Sequence, residues 1–149
     1  MNDATRWRDA MRALGLEWRV GMVDDDGAVC VPWSDGLGFV DCVNGDEPTN
    51  YVGGTEDIAV GGGGTEYLLP NPHHPSNLGH LLAMVEEVCG VDDVHVVPFY
   101  TMDAEQDVHH WVAMCEAGDH PYRRLGHGAS RALALLDALD RKAREVADG

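Results

Sequence analysis

The sequence predicts an α+β fold, in which helices pack on an antiparallel sheet. Two observations indicate it. Apolar residues recur at helical spacing near both ends of the chain and in its middle, and short β-type runs between them are separated by turn residues. The expected order is αβββ, a loop, then αββα. A length of 149 residues suits one domain, residues 1–149.

The first helix is expected over Asp3–Leu14. Asn2 or Asp3 can cap its start, and Gly15 stops it. Spacing places four apolar side chains on one face of this helix: Ala4, Trp7, Met11 and Leu14.

Three short strands are expected next. Glu17–Val23 and Ala28–Val31 flank Asp24–Gly27, whose Asp-Gly pair tolerates positive φ and predicts a hairpin turn. Phe39–Val43 is the third strand, closed by Asn44-Gly45. The aspartates of the turn also match part of the sequence pattern of a calcium-binding loop. That loop needs a glutamate at its twelfth position, which is missing here, so we favour the hairpin turn.

Residues 46–75 are expected to form an irregular loop rich in glycine and proline, with a short strand at 67–69. Its glycine run resembles a phosphate loop only superficially, because no lysine follows it. A loop of this length is usually functional or disordered. If a small molecule binds in this region, the candidate contact residues are Tyr51, Gly61, Gly62, Gly63 and Gly64.

The second half of the chain has the clearest periodicity. A helix is expected over residues 76–89 and another over 130–146. Strands are expected at 94–100, where Pro98 favours an edge or a bulge, and at 108–115; a loop should then span 116–126. The expected core residues are Leu81, Leu82, Val85, Val96, Trp111, Leu133 and Leu136.

The charge pattern is the most informative functional feature. No lysine or arginine occurs between Arg19 and Arg123, and residues 20–122 carry nineteen Asp and Glu out of a chain with net charge −16. Such a surface repels phosphate backbones, which argues against direct nucleic-acid binding, and attracts basic proteins and divalent cations. The acids that we expect to contact a basic partner are Asp92, Asp93, Asp103, Glu105 and Asp107. Adaptation to high salt would produce the same composition and stays an alternative.

Three further patterns bear on the cellular context. The chain has no run of eighteen apolar residues, so no membrane span is expected. The polar N-terminus Met1–Arg8 lacks an apolar signal core, which predicts a cytoplasmic protein. The four cysteines show no CxxC pair, so we expect small apolar core residues rather than disulfides or a zinc knuckle: Cys30, Cys42, Cys89 and Cys115.

The histidines are weak candidates for a zinc site. His73, His74 and His80 lie within eight residues, but a spacing of six between the last two does not place them on one helical face. HExxH, HxH and CxxC are all missing, and so is a complete nucleophile–base motif. We therefore expect no cofactor and no enzymatic activity. Bound zinc, and with it a metal-dependent hydrolase, is the alternative.

Three segments carry a resemblance to a known family. They are Pro75–Gly90, which contains the run Leu78–Leu82, then Gly126–Leu139, and Trp18–Met22, with Trp111 on the second of two intervening strands. Together they resemble small phage and prophage proteins of the "phage ABA sandwich" type. The resemblance implies an origin in a virus or integrated element and supplies no catalytic residues.

These observations predict a non-enzymatic acidic protein that occupies a host protein, such as a defence or nucleic-acid-handling factor, through electrostatics that imitate nucleic acid. The first alternative is a small-molecule binder, such as a sponge for a nucleotide signal. It ranks second because the central chain offers only backbone amides to an anion.

Overall fold

A computed structural model of the chain describes residues 2–25, 27–33, 36–43, 47–54, 69–99, 110–117 and 120–148. Within them the helices are α1 (Asp3–Leu14), α2 (Leu78–Cys89) and α3 (Arg131–Asp148), and a 3-10 turn, Pro75–Asn77, leads into α2. The strands are β1 (Ala28–Trp33), β2 (Gly36–Val43), β3 (Glu47–Gly54), β4 (Val94–Phe99), β5 (His110–Ala117) and β6 (His120–Gly128). The predicted α+β class is confirmed.

The strands form two antiparallel three-stranded sheets, in the orders β1-β2-β3 and β4-β5-β6. In the second sheet Val94 pairs with Cys115, and Trp111 pairs with Gly128. Pro98 lies in β4, an edge strand, as its missing N–H predicts.

The first helix has the predicted bounds and caps. Asn2 Oδ1 accepts a hydrogen bond from Thr5 N at 2.7 Å, and Gly15 ends the helix in the left-handed region with φ 68°. Trp7 is fully buried and its Nε1 contacts Met84 Sδ on α2 at 3.4 Å.

The third helix organises the packing, since it contacts α1, α2 and all three strands of the second sheet. Two glycines of β6 let the helix approach closely. A Cβ on Gly126 would lie 2.5 Å from Ala138 N, and a Cβ on Gly128 would lie 2.7 Å from Leu133 C. Both contacts are with the backbone of α3, so no side-chain rotation relieves them.

The strand predicted over Glu17–Val23 is wrong. Gly21 has φ 95° there and Met22 N donates to Arg19 O, so the chain turns instead of extending, and Met22 enters the core. The segment still contacts β1, because Gly21 N donates to Cys30 O, Cys30 N donates to Met22 O, and Val23 and Val29 form an isolated bridge.

The turn predicted after that segment does form. Gly27 has φ 91°, Gly27 N donates to Asp24 O at 3.1 Å, and Ala28 N donates to Asp24 Oδ1 at 2.7 Å. Asp24 N in turn donates to Ala28 O at 2.8 Å. Asp24 is therefore used by the turn itself.

Two predicted loops contain strands, so both predictions need correction. The 46–75 loop contains β3, and the 116–126 loop contains most of β6. Proline and glycine are typical of loops, and both strands contain them. Strand β3 holds Pro48 and ends in two glycines, and β6 holds glycines that the close approach of α3 requires. The short strand expected at 67–69 falls largely outside the described residues, and Pro70 makes one bridge, to Asp24.

The predicted core is confirmed in part. Leu81, Val85 and Leu136 are fully buried. The other four predicted residues are only partly buried and pack against the core: Leu82, Val96, Trp111 and Leu133. On α2 the buried face centres on Leu81, Val85 and Met84, so it is rotated slightly away from Leu82.

Three of the cysteines have described side chains. Cys30 and Cys115 are buried and Cys89 is partly buried, all as free thiols. Burial raises the pKa of the Cys30 thiol to about 11. As for membrane spans, none of the helices in the described ranges combines the length and apolar character that crossing a bilayer needs.

Candidate functional site

A cleft of about 340 Å³ lies between the segment leading into α2 and the junction of β6 with α3. Its apolar walls include Pro72, Pro75, Leu78 and Trp111. The full lining comes from three separate parts of the chain, residues 72–78, Trp111 and residues 129–132, so the cleft exists only in the folded protein.

A positively charged side chain, that of Arg131, lines this cleft. Arg131 begins α3, and its Cζ lies 4.8 Å from the ring centroid of Trp111, in a cation–π contact. A guanidinium stacked on an aromatic ring loses rotational freedom and still presents N–H donors that suit a carboxylate or a phosphate. Arg131 is exposed, so a ligand can reach it.

The other polar groups of the cleft have structural partners. Ser130 Oγ accepts from Leu133 N at 3.1 Å and caps α3, as expected for a serine at this position. His74 Nδ1 accepts from Ser76 N at 3.2 Å and caps the 3-10 turn. His73 Nε2 lies 3.0 Å from Asp3 Oδ2 and so links the cleft to α1.

The three histidines predicted as weak zinc candidates are engaged separately. His73 contacts Asp3, and His74 caps the 3-10 turn. His80 lies on α2 and packs against Gly21, in the segment between α1 and β1. Burial, and then the charge of Arg19, lowers the pKa of His80. Within the described ranges, no cluster of three or more His, Cys, Asp or Glu is arranged to hold a metal ion.

A different pair of histidines meets on the second sheet. His110 Nε2 lies 2.8 Å from His127 Nδ1, and the ring centroids are 4.7 Å apart. His127 pairs in register with Val112, so strand alternation points it away from the glycines that pack on α3. The sequence does not predict this pair, because the loop expected over 116–126 leaves no strand beside β5 to carry His127.

Positive charge is confined to a few elements. All ten Lys and Arg residues fall within the described ranges, and seven of them are on α1 and α3. Helix α1 carries three arginines and two aspartates, and α3 carries four cations and four acids. The whole net negative charge of the chain therefore falls outside these two helices.

An ion pair joins the two helices, since Arg6 of α1 lies 3.5 Å from Asp140 of α3. Each partner also pairs within its own helix: Arg6 lies 3.4 Å from Asp3, and Asp140 lies 2.5 Å from Arg144. Helix α2, in contrast, carries two glutamates and no cation; Glu87 pairs with Arg19 from another segment.

The predicted partner-binding acids are not brought together within the described residues. Asp92 and Asp93 are exposed in the turn before β4, and Asp93 contacts His95 at 2.9 Å. The other three lie between β4 and β5, outside the described residues: Asp103, Glu105 and Asp107. The register Val94–Cys115 instead places Asp93 opposite the exposed Glu116, which the sequence analysis did not single out.

The predicted ligand loop also needs correction. Tyr51 lies in β3, paired with Val40, and is not in a loop. The four glycines of the loop fall outside the described residues: Gly61, Gly62, Gly63 and Gly64. Residues 72–74, which close the same predicted loop, line the cleft.

Comparison with known proteins returned no match to a family model, to a curated protein or to a solved structure. The resemblance to phage ABA sandwich proteins therefore stays a prediction from the residues that carry it.

Proposed function

We propose that this protein is a non-enzymatic binding protein of phage or prophage origin that acts in the cytoplasm of a host cell by occupying a basic surface of a host protein. The observation that carries the proposal is the charge distribution. Helices α1 and α3 together carry a charge of +1, so the rest of the chain carries −17 and the net charge is −16.

Because the negative charge lies mainly outside α1 and α3, the electric field of a basic partner would turn the acidic side of the molecule toward it. At the end of the β4–β5 pair, Asp93 lies opposite Glu116 and Asp92 precedes it in the turn, and all three acids are exposed. A protein groove that binds nucleic acid presents the complementary charge, and long-range attraction would speed the encounter. A defence or nucleic-acid-handling factor is therefore the expected class of partner.

Capture from host lysate at low and moderate salt, followed by measurement of association rates with the captured protein, tests the proposal. The variant Asp92→Asn/Glu116→Gln removes two charges from the acidic end. The matched control, Glu145→Gln/Asp148→Asn, removes two from the exposed end of α3. We expect the first variant to associate more slowly and the control to associate like the wild type, because steering depends on local charge.

Salt provides the second arm of this test. Exposed charges are screened over a Debye length of about 8–10 Å near physiological ionic strength, so association should slow as salt rises.

Two outcomes would contradict the proposal. If both double variants slow association equally, the end that holds Asp92 and Glu116 is not the partner-binding surface. Absence of any basic partner, together with unfolding of the protein at low salt, would instead assign the acidity to adaptation to high salt.

A second candidate function is binding of a small anionic ligand in the cleft, and the contact of Arg131 with Trp111 favours it. Residues 20–122 contain no lysine or arginine that could bind an anion. Arg131 lies outside that span but reaches the cleft in the fold. Nucleotide signals combine an anion with a flat ring and fit the chemistry of the cleft.

Thermal unfolding with a panel of nucleotides tests this candidate. A ligand at a hundred times its dissociation constant stabilises the folded state by about 2.7 kcal/mol. Arg131→Lys keeps the charge but removes the planar donor fork, so it should weaken the stabilisation. Arg141→Lys, on the same helix and paired with Asp137, is the matched control. A panel that produces no shift, or a shift that Arg131→Lys leaves intact, would exclude the cleft as the site.

A further inference from the structure

We propose that His110 and His127 form a surface site for a divalent transition-metal ion of tetragonal preference, Cu²⁺ ahead of Ni²⁺. The two facing nitrogens, His110 Nε2 and His127 Nδ1, are 2.8 Å apart on neighbouring strands. Imidazole nitrogen is a preferred ligand of both ions. The site is separate from the cleft and from the histidines that the sequence singled out.

The strands fix the spacing of the two rings. His127 lies opposite Val112, and His110 is two residues before Val112 on the same face, so the histidines are diagonal neighbours across the β5–β6 pair. His127 N also donates to Asp137 Oδ2 on α3 at 2.9 Å. The backbone under one ring is thereby tied to the helix as well as to the sheet, which limits the entropy lost when a metal binds.

The distance between the nitrogens selects the geometry. With metal–nitrogen bonds of about 2.0–2.1 Å, two nitrogens 2.8 Å apart subtend an angle near 90°, the cis angle of a tetragonal ion. A tetrahedral zinc ion would need them about 3.3 Å apart, so the two imidazole rings would have to move away from their present contact. The geometry thus favours Cu²⁺ and Ni²⁺ over Zn²⁺.

Ligation also requires both facing nitrogens to offer a lone pair. In the neutral hydrogen-bonded pair, one of them carries the shared proton. That proton moves to the outer nitrogen of its own ring when the metal arrives, so one tautomer replaces another and no proton is released. Water fills the remaining coordination positions in this two-ligand site, and the negative field of the chain raises the local concentration of cations.

Titration of the purified chain with CuCl₂, NiCl₂ and ZnCl₂ by calorimetry in a weakly coordinating buffer tests the proposal. We expect one tight Cu²⁺ per chain and the affinity order Cu²⁺, Ni²⁺, Zn²⁺. The electron paramagnetic resonance spectrum of the copper form should show coupling to two nitrogens. Replacing either ligand should weaken Cu²⁺ binding by at least the roughly 10–100-fold that loss of an outer-shell partner costs.

The variants are His110→Asn and His127→Asn, with His95→Asn as the matched control. His95 is exposed on the same sheet but contacts Asp93 rather than a histidine. The control should bind Cu²⁺ like the wild type. No stoichiometric binding, a one-nitrogen spectrum, or an affinity that falls with His95→Asn but not with His110→Asn would each overturn the proposal. Circular dichroism of every variant establishes that the fold is retained.

Discussion

Gly126→Ala should destabilise the protein by about 1–3 kcal/mol, the usual cost of forcing an extra group into a packed interior. The added Cβ would lie 2.5 Å from Ala138 N and 2.6 Å from Ala134 O. Real Cβ atoms do not approach backbone atoms so closely, so either α3 or β6 has to move. Reduced freedom of the unfolded chain offsets only about 0.4–1 kcal/mol of that cost.

The chain offers a matched control with the opposite sign. Gly79 is an exposed residue of α2, and a Cβ there would meet nothing within 4 Å. Gly79→Ala should therefore stabilise the protein by about 0.5–1 kcal/mol, because alanine favours the helix.

Urea unfolding followed by circular dichroism measures both effects from the midpoint at constant slope. If Gly126→Ala unfolds within a few tenths of a kcal/mol of the wild type, β6 does not pack on α3 at this point, and the segment is closer to the loop that the sequence predicts. A destabilised Gly79→Ala would show instead that the control position is constrained.

Three other predictions concern the core and pH. Asn77→Ala should cost about 1–3 kcal/mol in urea unfolding, because its side chain accepts from the buried Val23 N at 2.8 Å and that donor would lose its partner. Leu81→Ala should cost about 2–5 kcal/mol, and Leu82→Ala clearly less, since only Leu81 is fully buried. Burial lowers the pKa of His80, so its unfolded form takes up the proton first; stability should fall as pH drops below about 6.5, and less steeply in His80→Gln.

The helices could be predicted from the sequence because their signals are local. Gly15 and Gly90 end helices with φ of 68° and 66°, in the left-handed region. Each follows a helix whose apolar residues recur at helical spacing. The phase of α2 differs slightly from the predicted one, since Met84 completes its buried face and Leu82 lies at the margin of that face.

The strands that the sequence did not predict, in contrast, depend on residues far away along the chain. Glycine in β6 looks like a loop signal, yet Gly126 and Gly128 are glycines because α3 passes directly over them. That reason lies in a helix that follows later in the chain, so no window along β6 contains it. The pairing of His110 with His127 is hidden in the same way, since it depends on the register of two strands and not on spacing along one.

The cleft shows that the charge of one segment is a weaker guide to binding than the fold is. A segment without lysine or arginine cannot itself supply a cation, but Trp111, which lies within that segment, holds Arg131 from outside it. The two proposed binding modes therefore respond differently to salt. Docking through exposed acids should weaken steeply as salt rises, because salt screens exposed charges most strongly. A ligand held between the ring, the guanidinium and the apolar walls should lose less of its affinity. Measuring the salt dependence of each complex would thus separate attraction by the whole acidic surface from recognition at one arginine.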